Sequence, residues 1–116
     1  MEVGGNLFHC LPSRTKTELF ELLVEAPGVR IERIVSQGHT SPAEGWYDQE
    51  EHEWVCVLQG EGHILIEGEV AARVVKTGDY LLLPAHCRHK VVWTASEPKT
   101  IWLAVFFKSE LRASLP

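Results

Sequence analysis

The sequence lacks the features of a nucleic-acid, membrane or disulfide-framework protein. Its 116 residues carry 11 Lys and Arg against 16 Asp and Glu, a net charge of −5, with no basic cluster. This charge balance excludes a general surface for nucleic acid or anionic lipid. The three cysteines are widely spaced and include no CxxC pair, which excludes zinc ribbons and disulfide frameworks. The longest apolar stretch, Ile101 to Phe107, is far too short to cross a bilayer.

The beginning of the chain has no basic segment followed by an apolar run, so it does not resemble a signal peptide. Together with the unpaired cysteines, this leads us to expect a cytoplasmic protein. Hydrophobic residues make up 45% of the chain and charged residues 23%, which are ordinary values for a folded domain. A chain of this length forms one domain with a substantial core.

The first 28 residues predict an irregular arm followed by one short helix. Thr15-Lys-Thr-Glu18 has the form of a capping box, and Leu19, Leu22 and Leu23 then recur at helical spacing. Pro27-Gly28 ends the segment, so the predicted helix has about two to three turns. We assign residues 1–28 to this arm and helix, packed on the main domain.

The rest of the chain predicts short strands separated by glycine and proline turns. Regular spacing of such strands favours an all-β antiparallel jelly roll or barrel, and a single helix leaves nothing to form parallel crossovers. The barrel is assigned to residues 29–107 and a tail to 108–116. The predicted strands cover residues 29–35, 53–59, 62–67, 70–75, 79–83, 88–94 and 99–107.

Residues 45–60 form the segment richest in functional groups. Between Tyr47 and Glu53 they supply four carboxylates, an amide, a phenol and an imidazole, and then run into an apolar strand. Because side chains alternate along a strand, six side chains of this segment are predicted to share one face. They are Tyr47, Gln49, Glu51, Glu53, Val55 and Val57. His52 is expected to point outward, whereas His89 is expected to share an inward face with Val91 and Trp93.

Two spaced motifs resemble those of the cupin superfamily. Glu53 is followed by six residues and Gly60, as at the end of the first cupin motif. Gly78, Pro84 and His89 fit the second, with His86 where glycine is usual. The resemblance covers about residues 29–107 and implies a small β-barrel. In that family, two His and the Glu of the first motif join the His of the second around one metal ion.

The chain departs from the cupin pattern where the first motif should carry His-x-His. Tyr47-x-Gln49 stands there in one spacing and Trp46-x-Asp48 in the other. Only Glu53 and His89 occupy the family's ligand positions, as in a subgroup of small cupins without the His pair. We hypothesise a mononuclear divalent site, holding Zn, Fe, Mn or Ni, on these two residues. The residues that would complete it are His39, His86 or Gln49.

Three functions are compatible with these residues. The first is binding of the metal and a small polar molecule in the barrel; if the chain is an enzyme, Lewis-acid activation, isomerisation or dioxygenation would follow. Glu53 would then carry protons and Tyr47 would act as an acid or orienting donor. The second is a metal-free binding or sensing module in which Tyr47 and Gln49 bind the ligand. The third is an interaction module only.

Two further predictions concern charge and association. Arg33 either binds a carboxylate or phosphate of a ligand or, as we favour, forms a surface ion pair near Glu32 or Glu21. Trp54 and Trp102 are predicted to cover an outer sheet surface that a second subunit buries. We therefore expect a homodimer that binds a small-molecule ligand.

Overall fold

The computed structural model describes residues 3–14 and 16–112, and every regular element in this part of the chain is a β-strand. No helix in it could span a bilayer. The strands are β1 (Leu19–Ala26), β2 (Val29–Ser36), β3 (His52–Gln59), β4 (Glu61–Ile66), β5 (Arg73–Lys76), β6 (Tyr80–Leu83), β7 (His89–Thr94) and β8 (Thr100–Phe107). The expected all-β fold is confirmed, and the predicted strands match the observed ones closely.

The strands form two sheets that enclose the core. The five-stranded sheet has the order β1-β2-β8-β3-β6 and the three-stranded sheet the order β5-β4-β7. Neighbouring strands within each sheet pair antiparallel. Apolar side chains from both sheets meet in one cluster, which includes Ile34, Val57, Ile64 and Trp102. This layout is the antiparallel jelly roll expected from the turn spacing.

The predicted N-terminal helix is wrong, because Leu19–Ala26 forms strand β1 and pairs with β2. The register shifts between Leu22 and Val24, so Leu23 has no partner residue on β2. This extra residue breaks the alternation of the strand and leaves apolar side chains at spacings that mimic a helix. Thr15, the first residue of the predicted capping box, lies outside the described residues, as do positions 1–2 and 113–116.

Trp102 is a core residue, which corrects the prediction that it covers an outer surface. It is 2% exposed, and its indole nitrogen donates a 3.1 Å hydrogen bond to the hydroxyl of Ser36. Trp102 lies opposite Val57 in the β3–β8 pair and therefore shares its inward face. Gly62 on β4 leaves room for the ring, since a Cβ there would lie 2.2 Å from two indole carbons. Trp54 is half-buried and stacks on Tyr80.

Candidate functional site

A cavity of about 390 Å³ lies between the two sheets. Its apolar lining side chains, which we call the apolar end, are Ile34, Val55, Ile64, Leu83, Trp102 and Phe106. Its polar lining side chains, which we call the polar end, are Glu18, Arg30, Glu32, Tyr47, Gln49, Glu53 and His89. The two groups meet where the Arg30 guanidinium lies over the Phe106 ring. The predicted inward face of residues 47–55 supplies four of the lining side chains, Tyr47, Gln49, Glu53 and Val55.

Glu53 and His89 meet across the polar end, one from each sheet. Glu53 is 8% exposed and His89 3% exposed, and the Oε1–Nε2 distance is 3.4 Å. His89 Nδ1 lies 2.8 Å from the carbonyl of Cys87, so it donates there. Nε2 can then donate to Glu53 only in the imidazolium form. Burial lowers the pKa of His89, but the bonds to Glu53 and Cys87 outweigh it, so the pKa lies above its ordinary value.

Tyr47 and Gln49 are placed beside this pair by the backbone. Tyr47 forms an isolated antiparallel bridge with His89, with N–O distances of 2.8 and 3.1 Å. Their rings lie 5.5 Å apart. The Gln49 amide nitrogen donates to Glu53 Oε1 over 3.3 Å. Tyr47 therefore contacts His89, and Gln49 contacts Glu53, the two candidate ligands.

Electrostatics keep the Tyr47 hydroxyl protonated. Burial raises the pKa of Tyr47, and the negative charges of Glu18, Glu53 and Glu32 raise it further. A hydrogen bond with Ser41 lowers the pKa of Tyr47, but by less than these effects raise it. Tyr47 is therefore a neutral hydroxyl surrounded by carboxylates, available to donate a hydrogen bond to a bound molecule.

Arg30 and Glu18 belong to the polar end, although the sequence did not single them out. Arg30 Nε and Nη2 donate to the two carboxylate oxygens of Glu51, at 3.1 and 2.9 Å. Nη1 donates to Glu32, and the guanidinium lies 3.9 Å from the centre of the Phe106 ring. Glu18 accepts a hydrogen bond from Ser36. Alternation along β2 places Arg30 on the same face as Glu32 and Ile34. This alternation is the sequence feature that could have predicted its inward position.

Two of the four residues predicted as metal ligands lie outside the cavity lining. His86 Nδ1 pairs with Asp48 at 2.7 Å, and its side chain is 65% exposed. His39 Nδ1 accepts a hydrogen bond from the backbone nitrogen of Gln37 at 2.9 Å. His52, expected to point outward, is also absent from the lining, and its Nδ1 accepts a 2.9 Å bond from the Ala85 nitrogen.

Trp93 is not on the inward face of His89 and Val91, contrary to the sequence prediction. The register between β4 and β7 shifts so that His63 pairs with Trp93 and Ile64 with Val91, leaving Val92 as an extra residue. This bulge turns Trp93 outward, where it is 45% exposed and its ring lies 4.6 Å from that of His63.

Arg33 faces away from the cavity and forms the predicted ion pair with Glu21, but the arginine is buried and not at the surface as expected. Its Nε donates to Glu21 over 2.6 Å. Nη1 donates to the carbonyls of Leu7 and His9 at 3.0 and 2.7 Å. The buried Arg33 side chain thus connects β2 to the N-terminal arm through hydrogen bonds, and it is absent from the cavity lining.

The polar end does not supply a complete site for a divalent metal. Within residues 3–14 and 16–112, no group of three or more His, Cys, Asp or Glu side chains could hold such an ion. Glu53 and His89 provide two donors, whereas Gln49 directs its amide nitrogen, which is no ligand, toward Glu53. A protein-held metal usually needs three or four donors. The metal site remains a prediction that depends on Glu53 and His89.

Comparison with known proteins identifies relatives. Residues 32–106 match the model of the cupin domain family. A proposed mannose-6-phosphate isomerase from Ralstonia eutropha JMP134 is 46% identical, with a TM-score of 0.87 over 91% of this chain and 98% of that one. A search among curated proteins found no match.

More distant structures show the same fold. A cupin superfamily protein from Desulfitobacterium hafniense DCB-2 is 18% identical, with a TM-score of 0.71 over 85% of this chain and 84% of that one. An RmlC-like cupin from Desulfovibrio desulfuricans is 20% identical, with a TM-score of 0.69 over 91% of this chain and 97% of that one.

Proposed function

The chain belongs to the cupin domain family, and we propose that it binds a small organic molecule in the cavity between its sheets. The cavity itself supports this proposal, because its volume of about 390 Å³ falls in the range of small-molecule sites. An apolar end and a polar end within one enclosure suit a molecule that has both characters. Such a molecule would bury its apolar part against Trp102 and Val55 and place its polar group near Glu53.

The polar end can also hold and move a proton. His89 Nε2 faces Glu53 Oε1, and the hydrogen bonds to Glu53 and Cys87 raise the pKa of His89 against the effect of burial, which favours the protonated ring. Tyr47 would orient the polar group of the ligand through its hydroxyl. If a reaction occurs, these three side chains are the ones we propose to carry its proton transfers.

A pair of neighbouring valines provides the test of ligand binding. Val91 lines the cavity, whereas Val92 is exposed at the bulge. We expect Val91→Phe to fill the cavity and abolish saturation transfer to a panel of small molecules in NMR, and Val92→Phe to leave it intact. Both variants must show cooperative thermal unfolding. Equal binding by the two variants, or no binding of any panel member to the unaltered protein, would refute a ligand in this cavity.

Binding of a divalent metal is a second candidate function, favoured by the 3.4 Å approach of Glu53 and His89. If the ion is present, Glu53 and His89 would hold it, with solvent or the ligand completing its coordination. Elemental analysis of tag-free protein, refilled with Fe, Mn or Zn, measures the stoichiometry, and Glu53→Gln is the matched variant. Sub-stoichiometric metal in every preparation would exclude this function.

We also propose that the chain forms a homodimer through β1, one of the two edge strands of the larger sheet. Phe20, Leu22, Leu23 and Val24 on this strand are about half exposed. An apolar edge strand of this kind favours pairing with a second copy. Multi-angle light scattering at micromolar concentration should give the dimer mass, and Leu22→Lys should shift it toward the monomer. A monomeric mass for the unaltered protein would contradict the proposal.

A further inference from the structure

The one cationic side chain of Arg or Lys that lines the cavity is already engaged by carboxylates. All three nitrogens of the Arg30 guanidinium donate to Glu51 or Glu32, and one of its faces lies against Phe106. A phosphate or carboxylate of a ligand would have to displace one of these partners, because a second Arg or Lys is missing from the lining in the described part of the chain. His89 is the other lining group that can carry a positive charge, and its Nε2 already faces Glu53. The polar end is therefore poorly suited to an anion.

The carboxylates of the polar end are, in contrast, incompletely compensated. Glu18 Oε1 is buried and has no hydrogen-bond partner among the described residues, while its Oε2 accepts from Ser36. Burial raises the pKa of Glu32, and repulsion from Glu53 and Glu51 raises it further against the opposite effect of Arg30. A positively charged group in the cavity would offset the charges of Glu18 and Glu32 and relieve this repulsion.

The walls beside these carboxylates are aromatic as well as apolar. Phe20 and Tyr47 line the same cavity as Glu18 and Glu32, and Trp102 and Phe106 line its apolar end. Aromatic faces attract cations, and Tyr and Trp do so best when the site is desolvated. The lining carboxylates Glu18, Glu32 and Glu53 outnumber their cationic partners Arg30 and His89, and together with these aromatic rings they form a site for an organic cation.

We infer that the cavity selects a ligand with a protonated amine, which the carboxylates of Glu18 and Glu32 attract while an apolar or aromatic body extends toward Trp102. This inference rests on the proposed function and adds the chemical class of the ligand. A protonated amine differs in charge from the phosphorylated sugar that the name of the Ralstonia eutropha protein mentions. The charge of the amine adds to that of Arg30, which Glu32 shares with Glu51.

Four probes that share a benzyl group and differ in the attached polar group test this inference. They are benzylamine, benzyl alcohol, phenylacetate and benzyl phosphate, with affinities measured by NMR titration near neutral pH. We expect benzylamine to bind at least about tenfold more tightly than the alcohol, since a hydrogen bond to a charged group contributes more than a neutral one. We expect the two anions to bind more weakly than the alcohol.

A matched pair of glutamate variants assigns the effect to Glu18. Glu18→Gln should lower benzylamine affinity about tenfold and leave benzyl alcohol affinity unchanged, because the loss is confined to the charged contact. Glu97→Gln removes the same charge from an exposed position outside the cavity lining and should change neither affinity. Unfolding curves of both variants confirm that they are folded.

The possible outcomes separate this inference from the proposed function. Tight benzylamine binding that depends on Glu18 supports both. Binding of the alcohol or an anion as tight as that of the amine, blocked by Val91→Phe, overturns the amine inference and leaves ligand binding standing. If none of the four probes binds, or if Val91→Phe does not block their binding, the amine inference is overturned. The wider panel of small molecules then decides whether the proposed function fails too.

Discussion

The two ends of the cavity are stabilised by different physical effects. At the apolar end, Trp102, Val57 and Ile64 are buried in close contact, and Gly62 leaves no space between its backbone and the indole. At the polar end, buried carboxylates depend on a few partners such as Arg30 and His89. The packed apolar side chains tolerate little change in volume. The charged side chains of the polar end tolerate a change of shape better than the loss of a charge. Substitutions at the two ends should therefore fail in different ways.

Gly62→Ala should have the largest effect, because it tests the volume limit of the apolar end directly. The added Cβ would lie 2.2 Å from Cζ2 and Cη2 of the buried Trp102 indole, which cannot move without disturbing the core. We expect a loss of about 3 kcal/mol or more in the free energy of unfolding, measured by urea denaturation.

The matched variants for this test are Gly5→Ala and the double variant Gly62→Ala with Trp102→Phe. A Cβ at Gly5 would meet nothing within 4 Å, so that change should be close to neutral. Phenylalanine removes the part of the indole that collides with the new methyl group, so the double variant should be more stable than the sum of the single changes predicts. Additive losses would mean that the collision is not the cause.

Arg30→Met should have the next largest effect and tests the charge limit of the polar end. The methionine keeps much of the side-chain volume but leaves Glu51 and Glu32 without their shared cation. Two partly buried carboxylates without a partner should lower the free energy of unfolding by about 2 kcal/mol. Urea denaturation at neutral pH measures the change.

Arg73→Met is the matched control, because Arg73 also binds a glutamate through two nitrogens. Its bonds to Glu69 are 3.0 and 2.8 Å long, but this pair is at the surface. Solvent screens such a pair, so we expect no measurable change in stability. Similar losses in the two variants would show that burial does not distinguish the Arg30 network.

The same contrast explains how much of the molecule the sequence could predict. Strand alternation placed Val55 and Val57 of the core, and the second motif with the glutamate of the first identified Glu53 and His89. Local bulges defeated the pattern at Leu23 and beside Val92, because one extra residue reverses the face of every following side chain.

Arg30 and Glu18 escaped prediction for another reason. Their partners Glu51 and Ser36 lie 21 and 18 residues away in the chain, and only the pairing of strands brings them together. Periodicity reports which face a side chain occupies but not which charge it meets there. The apolar end, where any inward residue is part of the core, is therefore more predictable than the polar end.

The pH dependence of stability gives a smaller effect, specific to the polar end. Because the folded-state pKa of His89 lies above the ordinary value of 6.5, the bond to Glu53 contributes fully at lower pH. That contribution is lost as the pH rises through the raised folded-state pKa. In chelator-treated protein, we expect the melting temperature to fall over this range and to fall less in His89→Gln. Parallel curves for the two proteins would show that His89 does not titrate with the predicted linkage.

The smallest effect should come from His86→Gly, which separates a backbone role from a role at the site. His86 has a φ of 63°, a left-handed conformation that is costly for residues with a Cβ and natural for the glycine usual at this motif position. Glycine should therefore be more stable than alanine at this position by about 1 kcal/mol in urea denaturation. The exposed pair of His86 with Asp48 should contribute little. Neither variant should alter metal content or ligand affinity, because the ring lies outside the cavity lining. An equal loss of bound metal in His86→Gly and His86→Ala would instead show that His86 is a metal ligand. The polar end would then include a residue outside the present cavity lining.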